Sequence, residues 1–215
     1  MATAQQHQAI AHATEAEEPD HVKIAQLCER SPKTDAFAQH TKAIAHIQQG
    51  KPALALPVLS AIDDLDRPTN GVNALGVRFA HAYCLYKTGA FANALALLQE
   101  AMAHGTFGAR AKADPAIQNL NAQALYNLEK YAEAAAALEH ILASGMYRDD
   151  VERSELLTNL SAAYSQFDFA KCQESSRRGL LGLHADRWRL ADAGAAAFLP
   201  PRLLALHAGL PVPAL

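Results

Sequence analysis

The stretches AIAHIQQGKPALALPVLSAI (43–62), AYCLYKTGAFANALALLQEA (82–101) and AQALYNLEKYAEAAAALEHI (122–141) align without a gap. Each opens on an alanine (Ala43, Ala82, Ala122) and carries another twelve positions later (Ala55, Ala94, Ala134). A leucine follows four residues on (Leu59, Leu98, Leu138), and then Ile62, Ala101 or Ile141. The copies are spaced 39 and then 40 residues apart. Two antiparallel helices approach closely only where small side chains sit at their crossing. Alanines at these two positions, with larger residues around them, therefore predict three helical hairpins. The turns are Gln49-Gly50-Lys51, Thr88-Gly89-Ala90 and Leu128-Glu129-Lys130. Gly50 and Gly89 suit the left-handed conformation that ends a helix, and Glu129 departs from that rule. Pro52, Phe91 and Tyr131 follow, where an aromatic side chain staples the second helix.

Working outward, DHVKIAQLCERSP (20–32) reads as the second helix of a preceding unit, with Ile24 and Leu27 at the Leu59 and Ile62 positions. ERSELLTNLSAAYSQF (152–167) reads as the first helix of a following one. Extra length falls at 64–73 and 105–114, between hairpins, where solenoids accept insertions. Helical hairpins repeated in this form are those of the tetratricopeptide class, and the period here is five or six residues longer than its minimal unit of 34. The expected fold is all-α, a tetratricopeptide-like α-α superhelix built as a right-handed solenoid of hairpins. An irregular helical bundle is the alternative. The repeat array is expected over 20–167, after a disordered acidic leader at 1–19. Residues 168–215 do not continue the alanine register and read as an irregular C-terminal segment, a cap or disordered. Arg177, Arg178, Arg187 and Arg189 give that segment a basic tilt around Trp188.

Composition excludes several functions. Much of the hydrophobic half of this 215-residue chain is alanine, and its net charge is only −3, which argues against a nucleic-acid or membrane-surface role for the chain as a whole. No apolar run reaches the roughly 18 residues needed to cross a bilayer. The N-terminus lacks the cation and apolar core of a signal peptide. Cys28, Cys84 and Cys172 form no C-x-x-C pair, so no zinc site or disulfide framework is expected and a reducing, cytoplasmic setting fits. The ten histidines place no two ligands on one helix face, and no metal, cofactor or small-molecule substrate is expected. Catalysis is not expected either: Cys84 and His81 share a helical spacing, but Cys84 reads as a small buried apolar residue. Glu17-Glu18 and Asp63-Asp64 read as solvated charges.

In a solenoid of this kind the first helices line the groove. That assigns His40, Ile44, Ile47 and Gln48 to the groove, with Phe79, Tyr83, Tyr86 and Lys87 from the second unit and Asn119, Gln123, Tyr126 and Asn127 from the third. Tyrosines suit partner binding because each offers apolar area and a hydroxyl. The competing reading makes Phe79, Tyr86 and Tyr126 ordinary core. The pairs His40/Ile44, Phe79/Tyr83 and Asn119/Gln123 form no basic clamp, which disfavours capture of a chaperone's terminal carboxylate.

Two stretches resemble one family, the 72-kilodalton subunit of the signal recognition particle. FAHAYCLYKTGAFANAL (79–95) is similar to that family's aromatic-x-x-Ala-Tyr-Cys-x-Tyr…Asn-Ala-Leu stretch. ALYNLEKYAEAAAAL (124–138), then DDVERSELLTNLSA (149–162), resembles its Leu-Tyr-x-Leu-x-x-Tyr and the acidic approach to Thr-Asn-Leu-Ser-Ala. Thr158, Asn159, Leu160, Ser161 and Ala162 match that last string one for one. The resemblance implies that the array binds the 68-kilodalton subunit of the particle and supports cotranslational targeting to the endoplasmic reticulum. The family's downstream Trp-Leu-Pro motif has no counterpart, because Trp188 is followed by Arg-Leu. Contact with the particle RNA is thus expected only indirectly or through a region this chain does not contain. The alternatives are an unrelated tetratricopeptide adaptor or an RNA contact through the Arg-rich tail.

Overall fold

The structure, a computed structural model, describes residues 2–64, 73–145 and 150–185. Among them are eleven α-helices and no strand: α1 (Ala2–Thr14), α2 (His21–Glu29), α3 (Ala36–Gln48), α4 (Pro52–Ile62), α5 (Ala74–Lys87), α6 (Phe91–Ala103), α7 (Gly108–Ala113), α8 (Pro115–Asn127), α9 (Tyr131–Ala143), α10 (Asp150–Tyr164) and α11 (Phe169–Ala185). They fall into two compact units, one running to Ala101 and the other starting at Met102.

The alanine register is what packs each hairpin. Ala43, Ala82 and Ala122 are fully buried, as are Ala55, Ala94 and Ala134 on the second helices. Leu59, Leu98 and Leu138 are buried one turn further on. Each leucine so buried contributes about 1.5–3 kcal/mol, and its place depends on the small residue that lets the helices approach.

The turns use one device three times. Gly50 (φ 70°), Gly89 (φ 84°) and Glu129 (φ 62°) are left-handed. Their amides donate to the carbonyls of Ile47, Tyr86 and Tyr126, and the next residue's amide reaches back to His46, Leu85 and Leu125. This paired arrangement satisfies carbonyls that the ended helix leaves open. Glu129 is the one described non-glycine residue with positive φ. At the other ends, Asp20, Asp35 and Asp114 accept from amides of the first turns of α2, α3 and α8, as helix caps do.

A second shared device was not expected. Gln39, Arg78 and Gln118 occupy one register position, and each ties down the connector that precedes its helix. Gln39 Nε2 donates to the Pro32 carbonyl (3.3 Å), Arg78 Nε to Asp63 Oδ1 (2.7 Å) and Gln118 Nε2 to the Lys112 carbonyl (3.1 Å). The connector at 105–114 is not a plain insertion, for it contains α7. Gly108 there lies so close to the Met102 carbonyl that a Cβ would sit 2.7 Å from it.

Both half units turn out to be whole hairpins. The segment expected as a disordered acidic leader holds α1, which packs on α2 and α3. Ile10 is fully buried among Ile24, Ala25, Cys28, Ala38 and Ala45, and that burial orders the helix. Gln6 Nε2 donates to the Leu27 carbonyl (2.7 Å), and His7 bonds the Asp35 carboxylate (2.6 Å). The register of α2 also shifts by a turn. Ile24 takes the buried slot of Ala94 and Ala134, Cys28 takes that of Leu98 and Leu138, and Leu27 is only half-buried. At the other end α10 packs against α9 and α11, so part of the segment expected to be irregular is a second helix. Asp168 caps it by accepting from the Lys171 amide (3.1 Å). Over its first turns the face toward α10 is polar: Cys172 stands at the crossing slot of Ala94, Ser176 stands where Leu98 and Leu138 do, and Ser161 bonds Ser176. Residues 186–215, with Arg187, Trp188 and Arg189, lie outside the described residues, as do 65–72 and 146–149.

Candidate functional site

The first unit presents its part of the expected groove on α3 and α5, which touch. Here the sequence reading needs correction. His40, Ile44, Ile47 and Phe79 are buried, at 3–4% exposure, and serve the core between helices. Gln48, Tyr83 and Tyr86 are half-buried and Lys87 is exposed. Tyr86 has a structural task, because its ring meets Phe91 edge-on at 5.4 Å and closes the hairpin. The accessible part is therefore Gln48, Tyr83 and Lys87. Lys87 Nζ lies 5.6 Å from the centre of the Tyr83 ring, a cation–π contact. Burial holds the Tyr83 hydroxyl above the ordinary phenol range, with Cys84 and Tyr86 adding to the effect, so it remains a donor at neutral pH.

In the second unit the expected residues lie on α8. Tyr126 is half-buried and meets Tyr131 edge-on at 5.3 Å, the counterpart of Tyr86 and Phe91. Asn119 and Gln123 are half-buried and Asn127 is exposed, one turn apart along the helix. Gln123 Nε2 donates to Asn119 Oδ1 (3.3 Å) and Asn127 Nδ2 to the Gln123 carbonyl (2.8 Å). This is a neutral amide stripe. Of the Thr158–Ala162 string, Leu160 is buried, Ser161 bonds α11, and Thr158 bonds its own helix at Ser154 (2.8 Å). Two of its five residues are thus accounted for by hairpin packing.

A charge cluster escaped the sequence reading. Asp63, expected to be solvated, is buried with its side chain 3% exposed. It accepts from Arg78 Nε and bonds His81 Nδ1 at 2.6 Å, while Arg78 also donates to Glu100 Oε2 (2.6 Å). An arginine inside the otherwise apolar opening of α5 was the available signal, since a buried guanidinium requires an anion. His81 is therefore committed to Asp63. Cys84 is fully buried, and burial pushes its thiol up to about 12, so no thiolate forms at neutral pH. Cys28 is likewise pushed up to about 12 by burial. Among the described residues no acidic, histidine or cysteine group is arranged to hold a metal, and no helix is long and apolar enough to cross a membrane.

Comparison with solved structures places this architecture. A Podosopora anserina putative kinesin light chain with nearly identical TPR-like repeats superimposes with a TM-score of 0.61 at 18% identity, covering 86% of this chain and 96% of that one. MamA (AMB-1) gives 0.63 at 17% identity, covering 85% of this chain and 97% of that one. The fold is TPR-like. No protein-family model matches the chain, and no curated protein matches it. At such identities the likeness carries the TPR-like fold alone.

Proposed function

We propose that this chain is a protein-binding scaffold that works without catalysis. The observation that carries the reading is the contrast within each first helix of the TPR-like hairpins. Their inner faces are consumed by packing, while Gln48, Tyr83 and Lys87 in one unit, and Asn119, Gln123 and Asn127 in the other, stay accessible. These are polar and aromatic groups held on rigid helices, which lose little entropy when a partner segment settles on them. The Cys84/His81 pair gives a catalytic reading no support, since Cys84 is buried and His81 is held by Asp63.

The finer reading is that the partner is the 68-kilodalton subunit of the signal recognition particle, bound in the cytoplasm in support of protein targeting to the endoplasmic reticulum. It rests on the resemblance of 79–95 and 149–162 to the 72-kilodalton subunit. Tyr83 belongs to the first of those stretches and is half-buried on α5 beside the exposed Lys87. An unrelated adaptor would share the scaffold but not the partner. The test is co-purification of this chain with a tagged 68-kilodalton subunit, repeated with Tyr83→Ala and Lys87→Ala. Capture by the unaltered chain, weakened about tenfold or more in the double variant, is expected, as for a buried interface aromatic. Absence of capture removes the particle reading and leaves the adaptor.

A further inference from the structure

The acidic residues of the first unit are distributed unevenly. Helices α1, α3 and α5 contain no Asp or Glu, although the chain has 22 acidic residues and a net charge of −3. The described acids of this unit sit elsewhere. Glu15, Glu17, Glu18 and Asp20 follow α1, and Glu29 is on α2. Asp35 caps the start of α3, Asp63 and Asp64 follow α4, and Glu100 is on α6. The cations on the first helices differ in their commitments. Lys42 pairs with Glu29 (3.3 Å), and Arg78 is buried on Asp63 and Glu100. Lys87 is exposed, lies over the face of Tyr83, and has no carboxylate partner among the described residues.

Tyr83 and Gln48 add donors and apolar surface to the face that carries Lys87. The Tyr83 hydroxyl stays protonated, and its ring gives a flat apolar floor. Gln48 stands 39 residues earlier, at the same register position on the adjoining α3, and contributes an amide that can donate as well as accept. Asp35 lies at the opposite end of α3, which at 1.5 Å per residue is roughly 20 Å away. An ammonium, a hydroxyl and an amide, on a surface cleared of acids, complement a carboxylate and repel a cationic segment.

Resting on the scaffold reading, we propose that the α3/α5 face of the first unit binds an acidic protein segment. One Asp or Glu of that segment engages Lys87 and Tyr83, and an apolar neighbour lies on the Tyr83 ring. A nucleic acid fits less well, because its affinity scales with the number of phosphates neutralised and, among the described residues, α3 and α5 offer Lys87 as the one lysine or arginine without a carboxylate partner.

An array of unselected peptides of about 15 residues, long enough to span two hairpins when extended, probed with the full chain, tests this directly. Peptides retained by the unaltered protein should carry several-fold more Asp and Glu than the array as a whole, beside Leu, Ile or aromatic residues. Their signal should fall when salt is raised. Lys87→Glu, a surface change that leaves the core alone, should turn the enrichment toward Lys and Arg. Retention of peptides without acidic enrichment, or an enrichment that Lys87→Glu leaves unmoved, overturns the inference while the scaffold reading stands. Retention of no peptide overturns both. Displacement of the acidic peptides by a single-stranded oligonucleotide at equal concentration overturns the choice of a protein partner.

Discussion

The second and third repeat hairpins, α5/α6 and α8/α9, are the same object at the level of packing and different objects at the level of chemistry. Ala82 and Ala122, Ala94 and Ala134, and Leu98 and Leu138 occupy equivalent buried slots, and Tyr86–Phe91 and Tyr126–Tyr131 close the two turns alike. They diverge at the connector-binding position, where one has a buried arginine on a buried carboxylate and the other an amide on a carbonyl. They diverge again at the turn, Gly89 against Glu129. The small-residue crossings are steric requirements, and a repeat cannot relax them without separating its helices. The connector and the turn need only a donor and a left-handed residue, so each hairpin meets those needs differently.

The connector position should show the largest difference. Arg78→Gln, which installs the third hairpin's residue, leaves Asp63 buried with only His81 and should cost about 3–5 kcal/mol. Gln118→Leu removes a neutral donor from the Lys112 carbonyl and should cost about 1–2 kcal/mol. Urea denaturation followed by circular dichroism measures both. An Arg78→Leu, Asp63→Leu double variant should recover most of the first loss, since paired removal leaves no buried carboxylate unpaired and Glu100 is exposed to solvent. If Arg78→Gln costs no more than Gln118→Leu, the ionic and amide tethers are equivalent and the contrast drawn here fails.

The crossings should come next and should not distinguish the hairpins. Ala94→Leu and Ala134→Leu each overfill a fully buried slot and should cost about 1–3 kcal/mol, while Ala92→Leu and Ala132→Leu on the exposed side should stay within about 0.5 kcal/mol. The turns should then separate them by opposite signs. Glu129→Gly should stabilise by roughly 1 kcal/mol, because a side chain at φ 62° is strained, and Gly89→Glu should destabilise by a similar amount. No atom lies within 4 Å of a Cβ built at Gly89, so the second effect reports backbone strain alone. Thermal melts of the two single variants and of the combined swap check this, with the swap expected near neutral.

The features legible in the sequence were those that sterics impose on every copy. Three copies in register expose a small residue at the crossing and a leucine behind it, and all of these are buried as expected. Helix α1 was missed because Ile10 is the only large apolar side chain in Ala2–Thr14, and one residue shows no period. The slip in α2 has a related cause: Ile24 is too large to read as the crossing residue and Cys28 too small to read as the leucine. In α11 Ser176 replaces the leucine, so the pattern ends although the helix continues. Asp63 was unreadable because its partner is 15 residues away across a connector. The groove was half legible. Helical spacing names the face that Ile44, Ile47 and Phe79 share with Tyr83, but which of them the neighbouring helix covers depends on how the helices pack.

The smallest expected effect extends the comparison to the first hairpin, where His46 occupies the register position of Leu85 and Leu125. Its Nδ1 is buried with no hydrogen-bond partner among the described residues. Burial, chiefly, and the fields of Lys42 and Lys51 hold its pKa below the ordinary 6.5, with Glu29 opposing. An imidazole with a lowered folded pKa takes up its proton first in the unfolded chain. Stability should therefore be intact above about pH 7 and decline as pH falls through 6.5 toward the folded value. His46→Leu, which restores the residue type of the other two hairpins, should flatten that part of the stability–pH curve and leave the neutral-pH value equal or higher. Melting temperatures of both proteins between pH 7.5 and 5.5 measure it, and parallel curves would show that the leucine slot tolerates a charged imidazole at no cost. His21, also lowered mainly by burial but countered by Asp20, should contribute in the same direction and lies outside that slot. A residual slope in the His46→Leu variant is accordingly expected, and it should shrink further on His21→Gln.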